Sequence, residues 1–221
     1  MKSCKDILTH SIFKPPELTP EQWEEQARKV REWEQAQADS LRAQRIERAA
    51  IPARYLQAVP DYPGVGEWAA DPTVGLLLQG KVGRGKTHQA CAALLAHIAN
   101  GNTAKFTTFD DLIRECKATF RNSDTEEAVI ARYANTGMLC IDDMGKERPT
   151  EWSLPIIFSI INKRSMSGKP TVITTQYTGR QLFERLTVGD KETAWAIISR
   201  MMEYRRIEID GKDWRRGDNI G

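Results

Sequence analysis

Cysteine is scarce in this sequence. The four cysteines, Cys4, Cys91, Cys116 and Cys140, are scattered, with no Cys-x-x-Cys pair. That argues against a zinc module or a disulfide framework and predicts a reducing, cytoplasmic setting. Cys140 lies in an apolar run and is expected in the core. No apolar run approaches the ~20 residues of a membrane span, and the N-terminus lacks the apolar core of a signal peptide. No membrane partner is therefore expected. A dominant charge sign is also missing, since the formal net charge is only +2. That excludes binding of nucleic acid by bulk basicity, so any DNA contact must come from a local patch. Glycine and proline are absent from residues 21 to 50, which excludes a turn there. With 221 residues the chain has room for one domain, an appendage and a sizeable core.

What is present is organised around Gly80-Lys81-Val82-Gly83-Arg84-Gly85-Lys86-Thr87. This matches the phosphate-binding pattern G-x-x-x-x-G-K-[ST] at every position. The apolar run Val74-Gly75-Leu76-Leu77-Leu78 before it predicts a buried strand. Residues 87 to 99 after it, rich in alanine and leucine, predict a helix. Strand, glycine loop and helix together form a phosphate cradle. Glycines let successive N–H groups turn inward, and the helix N-terminus adds its positive dipole end. Lys86 would reach the β- and γ-phosphates of ATP, and the Thr87 hydroxyl would ligate Mg²⁺.

Ahead of this loop, Lys14-Pro15-Pro16 reads as a linker or turn. Thr19-Pro20-Glu21-Gln22 has the spacing of a helix start, with Thr19 as cap and Pro20 at the first position. Residues 21 to 50 then form a charged helix with a thin apolar stripe through Trp23, Ala27, Val30 and Leu41. Two readings stand: a solvated helix packed on its own domain, or a coiled-coil-like arm that docks on a partner protein. The two tryptophans, Trp23 and Trp33, favour the arm, because tryptophan is enriched at binding hot spots. Pro52 ends the helix, and residues 56 to 72 read as a loop. Residues 51 to 55 precede the first strand, in position to cover a nucleotide base.

Asn100-Gly101-Asn102 stops the helix that follows the phosphate loop. A strand is predicted over 104 to 108, a helix from 111 to 120 capped by Asp110, and a helix over 125 to 135. Met138-Leu139-Cys140-Ile141-Asp142-Asp143 then runs four apolar residues into two carboxylates. An acidic C-terminal end of a buried parallel strand is where open α/β sheets place ligands. Asp142 would hold Mg²⁺, and Asp143 would orient the attacking water. Further on, the chain predicts a helix over 149 to 166 with Thr150 as an early cap, and a strand over 171 to 176. Helices over 179 to 186 and 192 to 203 precede a last strand over 206 to 209. Gln176 at a strand tip reads either as a contact to the γ-phosphate or its water, or as an ordinary turn residue.

These motifs resemble the DnaC/IstB branch of the AAA+ ATPases, the bacterial and phage helicase loaders and transposition helpers. The resemblance spans residues 51 to 216. It is carried by Ile51-Pro52-Ala53-Arg54-Tyr55, by Gly85-Lys86-Thr87-His88 and by Ile141-Asp142-Asp143-Met144-Gly145-Lys146-Glu147. Arg148-Pro149-Thr150-Glu151-Trp152, Ile161-Asn162-Lys163-Arg164 and Ile198-Ser199-Arg200-Met201 complete it. It implies an α/β, P-loop AAA+ domain over 51–221: a five-stranded parallel sheet with flanking helices and no C-terminal lid. Residues 1–50 would be the helical, partner-binding region. The resemblance further implies ATP bound between subunits of a ring or spiral, with Arg200 as a finger on the neighbour's γ-phosphate. Arg215, or equally Arg216, stands where such proteins carry a second nucleotide-sensing arginine. This chain departs from the family in having Gln176 for the usual asparagine, and Asp142-Asp143 where many relatives have Asp-Glu.

The leading expectation is an ATP-hydrolysing DNA replication protein that loads a replicative helicase onto single-stranded DNA. Arg114, Lys117 and Arg121 share one helix face and are the candidate DNA contacts; a solvated helix face is the other reading. A transposition helper acting on duplex DNA is the alternative. A non-hydrolysing adaptor is disfavoured by intact Lys86, Asp142, Asp143 and Arg200, and a small-metabolite kinase by the lack of an acceptor-site pattern.

Overall fold

The computed structural model describes residues 19–118 and 125–211. The chain divides into two compact units, residues 1–41 and residues 42–221.

The described part of the first unit belongs to helix α1 (Pro20–Ala49). Its start follows the expected capping chemistry. The Thr19 N–H donates to Gln22 Oε1 at 2.9 Å, and the Gln22 N–H donates back to Thr19 Oγ1 at 3.3 Å. Two first-turn donors are thereby satisfied. One-turn pairs such as Lys29–Glu25 at 2.7 Å stitch its surface. Trp23 and Trp33 are 59% and 64% exposed.

In the second unit, a single turn of 3-10 helix (Ala53–Tyr55) precedes helix α2 (Val65–Ala70) and strand β1 (Leu76–Gln79). Helix α3 (Lys86–Ala99), β2 (Ala104–Thr108), α4 (Phe109–Ala118) and α5 (Glu126–Asn135) follow. Then come β3 (Met138–Asp142), α6 (Ser153–Met166), β4 (Thr171–Thr175), α7 (Gly179–Leu186), α8 (Lys191–Met201) and β5 (Arg205–Glu208). The strands pair in the order β2-β3-β4-β1-β5, all parallel.

Side-chain alternation sorts the sheet residues into two cores. Leu76, Leu78, Met138, Cys140 and Val172 pack with α2 and α3 on one face. Leu139, Ile141 and Ile173 pack with α4 to α8 on the other. Burial on both faces explains why β3 and β4 read as continuous apolar or threonine runs rather than as alternating ones.

Three expectations need correction. The stretch over 56 to 72 is not all loop. Helix α2 lies within it because Val65, Trp68 and Ala69 are buried, and the Trp68 indole N–H donates to the Val74 carbonyl at 2.9 Å. Its glycines and prolines mask a short helix made by tertiary burial. Second, α4 begins at Phe109, two residues earlier than a helix capped by Asp110. The Thr108 hydroxyl accepts the Asp111 N–H at 3.1 Å, which leaves Asp110 inside the first turn. Third, α6 starts at Ser153 rather than Pro149. Thr150 and Ser153 exchange backbone-to-side-chain bonds at 2.8 and 3.1 Å, closing a turn of their own first.

Candidate nucleotide-binding site

The site grows from the C-terminal ends of β1, β3 and β4, which lie side by side because the strand order places β4 between β3 and β1. β1 delivers the phosphate loop. At its first residue, a Cβ on Gly80 would collide with the Ile209 carbonyl oxygen leaving β5, so only glycine fits. At its last residue, Gly85 sits at φ 91° as the N-cap of α3, in the left-handed region that L side chains rarely adopt. The first helical hydrogen bond of α3 runs from the Gln89 N–H to the Gly85 carbonyl. The first turn of α3 precedes that bond, so its N–H groups stand at the positive end of the helix dipole, where an anion is favoured. Lys86 is buried, and its ammonium donates to the Lys81 carbonyl across the loop at 2.9 Å. The charge is thus held directly over the cradle.

β3 brings up the carboxylates. The Thr87 hydroxyl lies 3.0 Å from each carboxylate oxygen of Asp142, so the two candidate metal-holding groups are in contact. Burial pushes the Asp142 pKa up. The Thr174 hydroxyl, the Thr87 hydroxyl and the Lys86 charge pull it back down, while the Asp143 charge adds to the upward shift. A dication placed there would favour the ionised form. Hard oxygen donors suit Mg²⁺. Among the described residues no three His, Cys, Asp or Glu side chains gather as a metal cage.

Asp143 is bent out of the strand at φ 56°, an uncommon conformation for a residue other than glycine. It aims its carboxylate outward, 3.6 Å from the Lys146 ammonium. Strand β4 and helix α7 hold this turn in place. The Thr174 hydroxyl donates to Asp142 Oδ1 at 2.6 Å and accepts the Asp143 N–H at 2.9 Å. The Thr175 hydroxyl donates to the Met144 carbonyl at 2.8 Å. The Arg185 guanidinium donates to the carbonyls of Gly145 and Lys146 and lies over the Tyr177 ring, 4.6 Å from its centroid.

Lys81, Val82, Gly83 and Arg84 form the loop itself, and the Arg84 Nε is buried without a hydrogen-bond partner among the described residues. His88 sits edge-on to Tyr55 at 6.3 Å between ring centroids, which brings residues 51 to 55 beside the phosphate loop. Gln176 is exposed, and its amide donates to the Tyr177 hydroxyl at 3.0 Å rather than into the Thr87–Asp142 cluster. Arg200 projects from α8 onto α6. It donates to Asn162 Oδ1 at 2.7 Å and to the Ala196 carbonyl at 3.0 Å, and its guanidinium carbon lies 5.0 Å from the Phe158 ring centroid. Arg114 and Lys117 are exposed on α4, with Arg114 paired to Asp110 at 2.6 Å and Asp111 at 2.8 Å. Arg121, Arg215 and Arg216 lie outside the described residues. Sequence reasoning missed Thr174, Thr175, Arg185 and Gln89, whose amide binds Asp61 and the Tyr62 N–H. For the two threonines the available signal was polar residues in a strand otherwise read as buried.

No helix among the described residues is long and apolar enough to cross a membrane. The chain is 29% identical to the replicative helicase loader DnaC of Escherichia coli K12 over 147 residues, 62% of this chain and 58% of that protein. It thus spans about half the length of the curated loaders that it matches. A putative insertion sequence ATP-binding protein of Sinorhizobium fredii is 33% identical over 142 residues, 64% of this chain and 46% of that protein. The crystal structure of DnaI superimposes with a TM-score of 0.63 at 23% identity, covering 75% of this chain and 95% of that one. That likeness identifies the AAA+ fold. The family model described as IstB-like ATP binding protein matches residues 68–219, and with more than half of its length so matched, this chain belongs to that family of P-loop, nucleotide-binding proteins.

Proposed function

We propose that this chain hydrolyses ATP to load a replicative DNA helicase onto single-stranded DNA in the cytoplasm. The observation that carries the hydrolysis is the contact between Thr87 and Asp142, with Lys86 on the loop and Asp143 on the adjoining turn. The resemblance to helicase loaders carries the purpose.

In this reading the N–H groups of residues 80 to 88 bind the phosphate oxygens, and Lys86 moves from the Lys81 carbonyl to the β- and γ-phosphates. Thr87 and Asp142 would hold Mg²⁺, which would supply positive charge against the transferred phosphoryl group. Asp143 accepts a proton bond from the attacking water and aligns it. Gln176 leaves Tyr177 to reach the γ-phosphate or its water, and Arg215 senses the nucleotide. Tyr55 and His88 flank the base. Arg200 serves a neighbouring copy, since its own position on α8 is against α6. Self-association into a ring or spiral then switches hydrolysis on. Arg114, Lys117 and Arg121 contact single-stranded DNA, and α1 grips the helicase through Trp23 and Trp33.

A second reading is favoured by the family model and by the Sinorhizobium fredii relative: a transposition helper ATPase acting on duplex DNA. One experiment separates them. ATP turnover is measured for the protein alone, with single strands, with duplex, and with the host replicative helicase. Stimulation by single strands, a stable helicase complex, and loss of turnover in Lys86→Ala are expected. Assembly on duplex alone, with no helicase bound, would replace the loader by the transposition helper.

A further inference from the structure

One buried hydroxyl touches both acidic residues of the site and has no role in the phosphate-loop pattern. Thr174 is fully buried, with 0% of its surface exposed. It stands on β4, the strand between those that carry the loop and the carboxylates. Its hydroxyl has a single proton, and the 2.6 Å contact to Asp142 Oδ1 uses it. The remaining lone-pair capacity accepts the Asp143 N–H at 2.9 Å. The Thr174 carbonyl meanwhile accepts the Met144 N–H at 2.8 Å. Three consecutive residues, Asp142, Asp143 and Met144, are thus tied to one residue of the neighbouring strand. The β3–β4 ladder pairs Ile141 with Ile173; beyond it, Thr174 takes over the pairing through its side chain and its carbonyl.

We propose that Thr174 is the positioning residue that orients Asp142 toward the metal and sets the left-handed bend that presents Asp143. This rests on the reading of the site as a Mg²⁺–ATP site. The logic is that of an outer-shell partner. A carboxylate with two oxygens can rotate; here Thr174 holds Oδ1 while Thr87 spans both oxygens, so the plane of the group is set before any cation arrives. The same hydroxyl compensates the Asp143 N–H, which left the strand ladder when the chain bent to φ 56°. Without it the N–H would be unsatisfied, and the bend would lose its anchor. A single atom therefore couples the orientation of the metal-holding carboxylate to the placement of the water-orienting one.

The test is a Mg²⁺ titration of nucleotide binding, followed by fluorescent ATP-analogue anisotropy, on Thr174→Val, Thr174→Ser and the unaltered protein. Valine keeps the shape and removes the hydroxyl; serine keeps the hydroxyl. Thr174→Val is expected to need ~10-fold more Mg²⁺ for half-maximal binding and to turn over ATP ~10-fold or more slowly, the range typical of lost outer-shell partners. Thr174→Ser should restore both. Analogue binding in EDTA should be the same in all three proteins. Equal Mg²⁺ dependence in Thr174→Val and the unaltered protein would overturn the proposal. So would an equal loss of binding in EDTA, which would mark a general structural role. Should the valine variant not fold, Thr174→Ala in the same titration gives the same decision. If the unaltered protein binds nucleotide without any Mg²⁺ effect, the reading of the metal site itself falls, and the proposal with it.

Discussion

Arg164 has 0% of its surface exposed, yet none of its hydrogen-bond partners among the described residues is a carboxylate. Its guanidinium donates instead to the carbonyls of Tyr133, Thr136, Gly137 and Pro170 at 2.9, 2.8, 3.0 and 2.6 Å, and to the Thr171 hydroxyl at 2.8 Å. These carbonyls belong to the end of α5 and to the entries of β3 and β4, so the cation sits on a concentration of negative dipole ends. Burial lowers its pKa to about 10, which still leaves it charged at neutral pH. A planar fork is what this arrangement of acceptors requires. Arg164→Met would strand several buried carbonyls, at ~1–3 kcal/mol for each one left unsatisfied. We expect the urea midpoint of the full chain to fall by the equivalent of ~3 kcal/mol or more, with little recovery in Arg164→Lys. An unchanged midpoint would mean that water replaces the guanidinium freely. From the sequence alone, Arg164 was only one letter in a family motif. Its role depends on residues 133 to 137, which lie 27 to 31 positions earlier in the chain, and no local pattern encodes that.

Among elements, α7 is the one whose function the sequence concealed. Its boundaries were legible: Thr178 and Gln181 form a complete capping box, and the helix begins at Gly179 as expected. What it does was not legible. Leu182 and Leu186 bury one face, and that places Arg185 against the turn that follows β3. There it binds the Gly145 and Lys146 carbonyls and lies over Tyr177. Gly145 is required beneath it, because a Cβ there would press into Leu182 and Tyr177. Arg185→Gln should therefore loosen the turn that presents Asp143 while leaving the phosphate loop alone. The expected outcome is a ~10-fold loss in kcat, with nucleotide affinity and the melting temperature close to those of the unaltered protein. An equal loss in affinity would show instead that α7 supports the cradle itself. Helix α2 went unseen for the opposite reason. Its six residues carry too little periodicity to stand out from the glycine and proline around them, and burial against α3 is what makes them helical.

At the scale of the whole molecule, the proposed catalytic set is divided. Lys86, Thr87, Asp142 and Asp143 converge at one edge of the sheet, while Arg200 is held by Asn162 and Phe158 on the α6–α8 layer. An arginine finger acting across a subunit boundary predicts a mixing result that no single-subunit mechanism gives. Arg200→Ala should bind nucleotide normally but lose turnover by a factor of ~10³. Lys86→Ala should bind none. When the two are mixed, the intact Arg200 of the Lys86→Ala chain meets the intact site of the Arg200→Ala chain. Activity should reappear with a steep dependence on protein concentration. Failure of the mixture to recover would remove Arg200 from the reaction and leave it as a link between α6 and α8.

Much of this molecule could be read in a line of residues, because its chemistry is local in sequence. A phosphate cradle needs glycines, a lysine and a hydroxyl within one loop and one helical turn, so residues 80 to 88 announce it unaided. A doubly buried parallel strand needs an uninterrupted apolar run, so β3 and its acidic end announce themselves too. The reciprocal cap at Thr19 spans three residues. The contacts that hold the site together are different in kind. Thr174 meets Asp142 and Asp143 only because β4 lies beside β3, and Arg185 reaches the Gly145 turn only because α7 packs back over it. Gln176 reads either as a phosphate contact or as an ordinary turn residue, and only the folded chain shows its amide resting on Tyr177. Those pairings follow from strand order and helix docking, which sum many weak contacts over the whole domain, and no short stretch of the chain contains that sum.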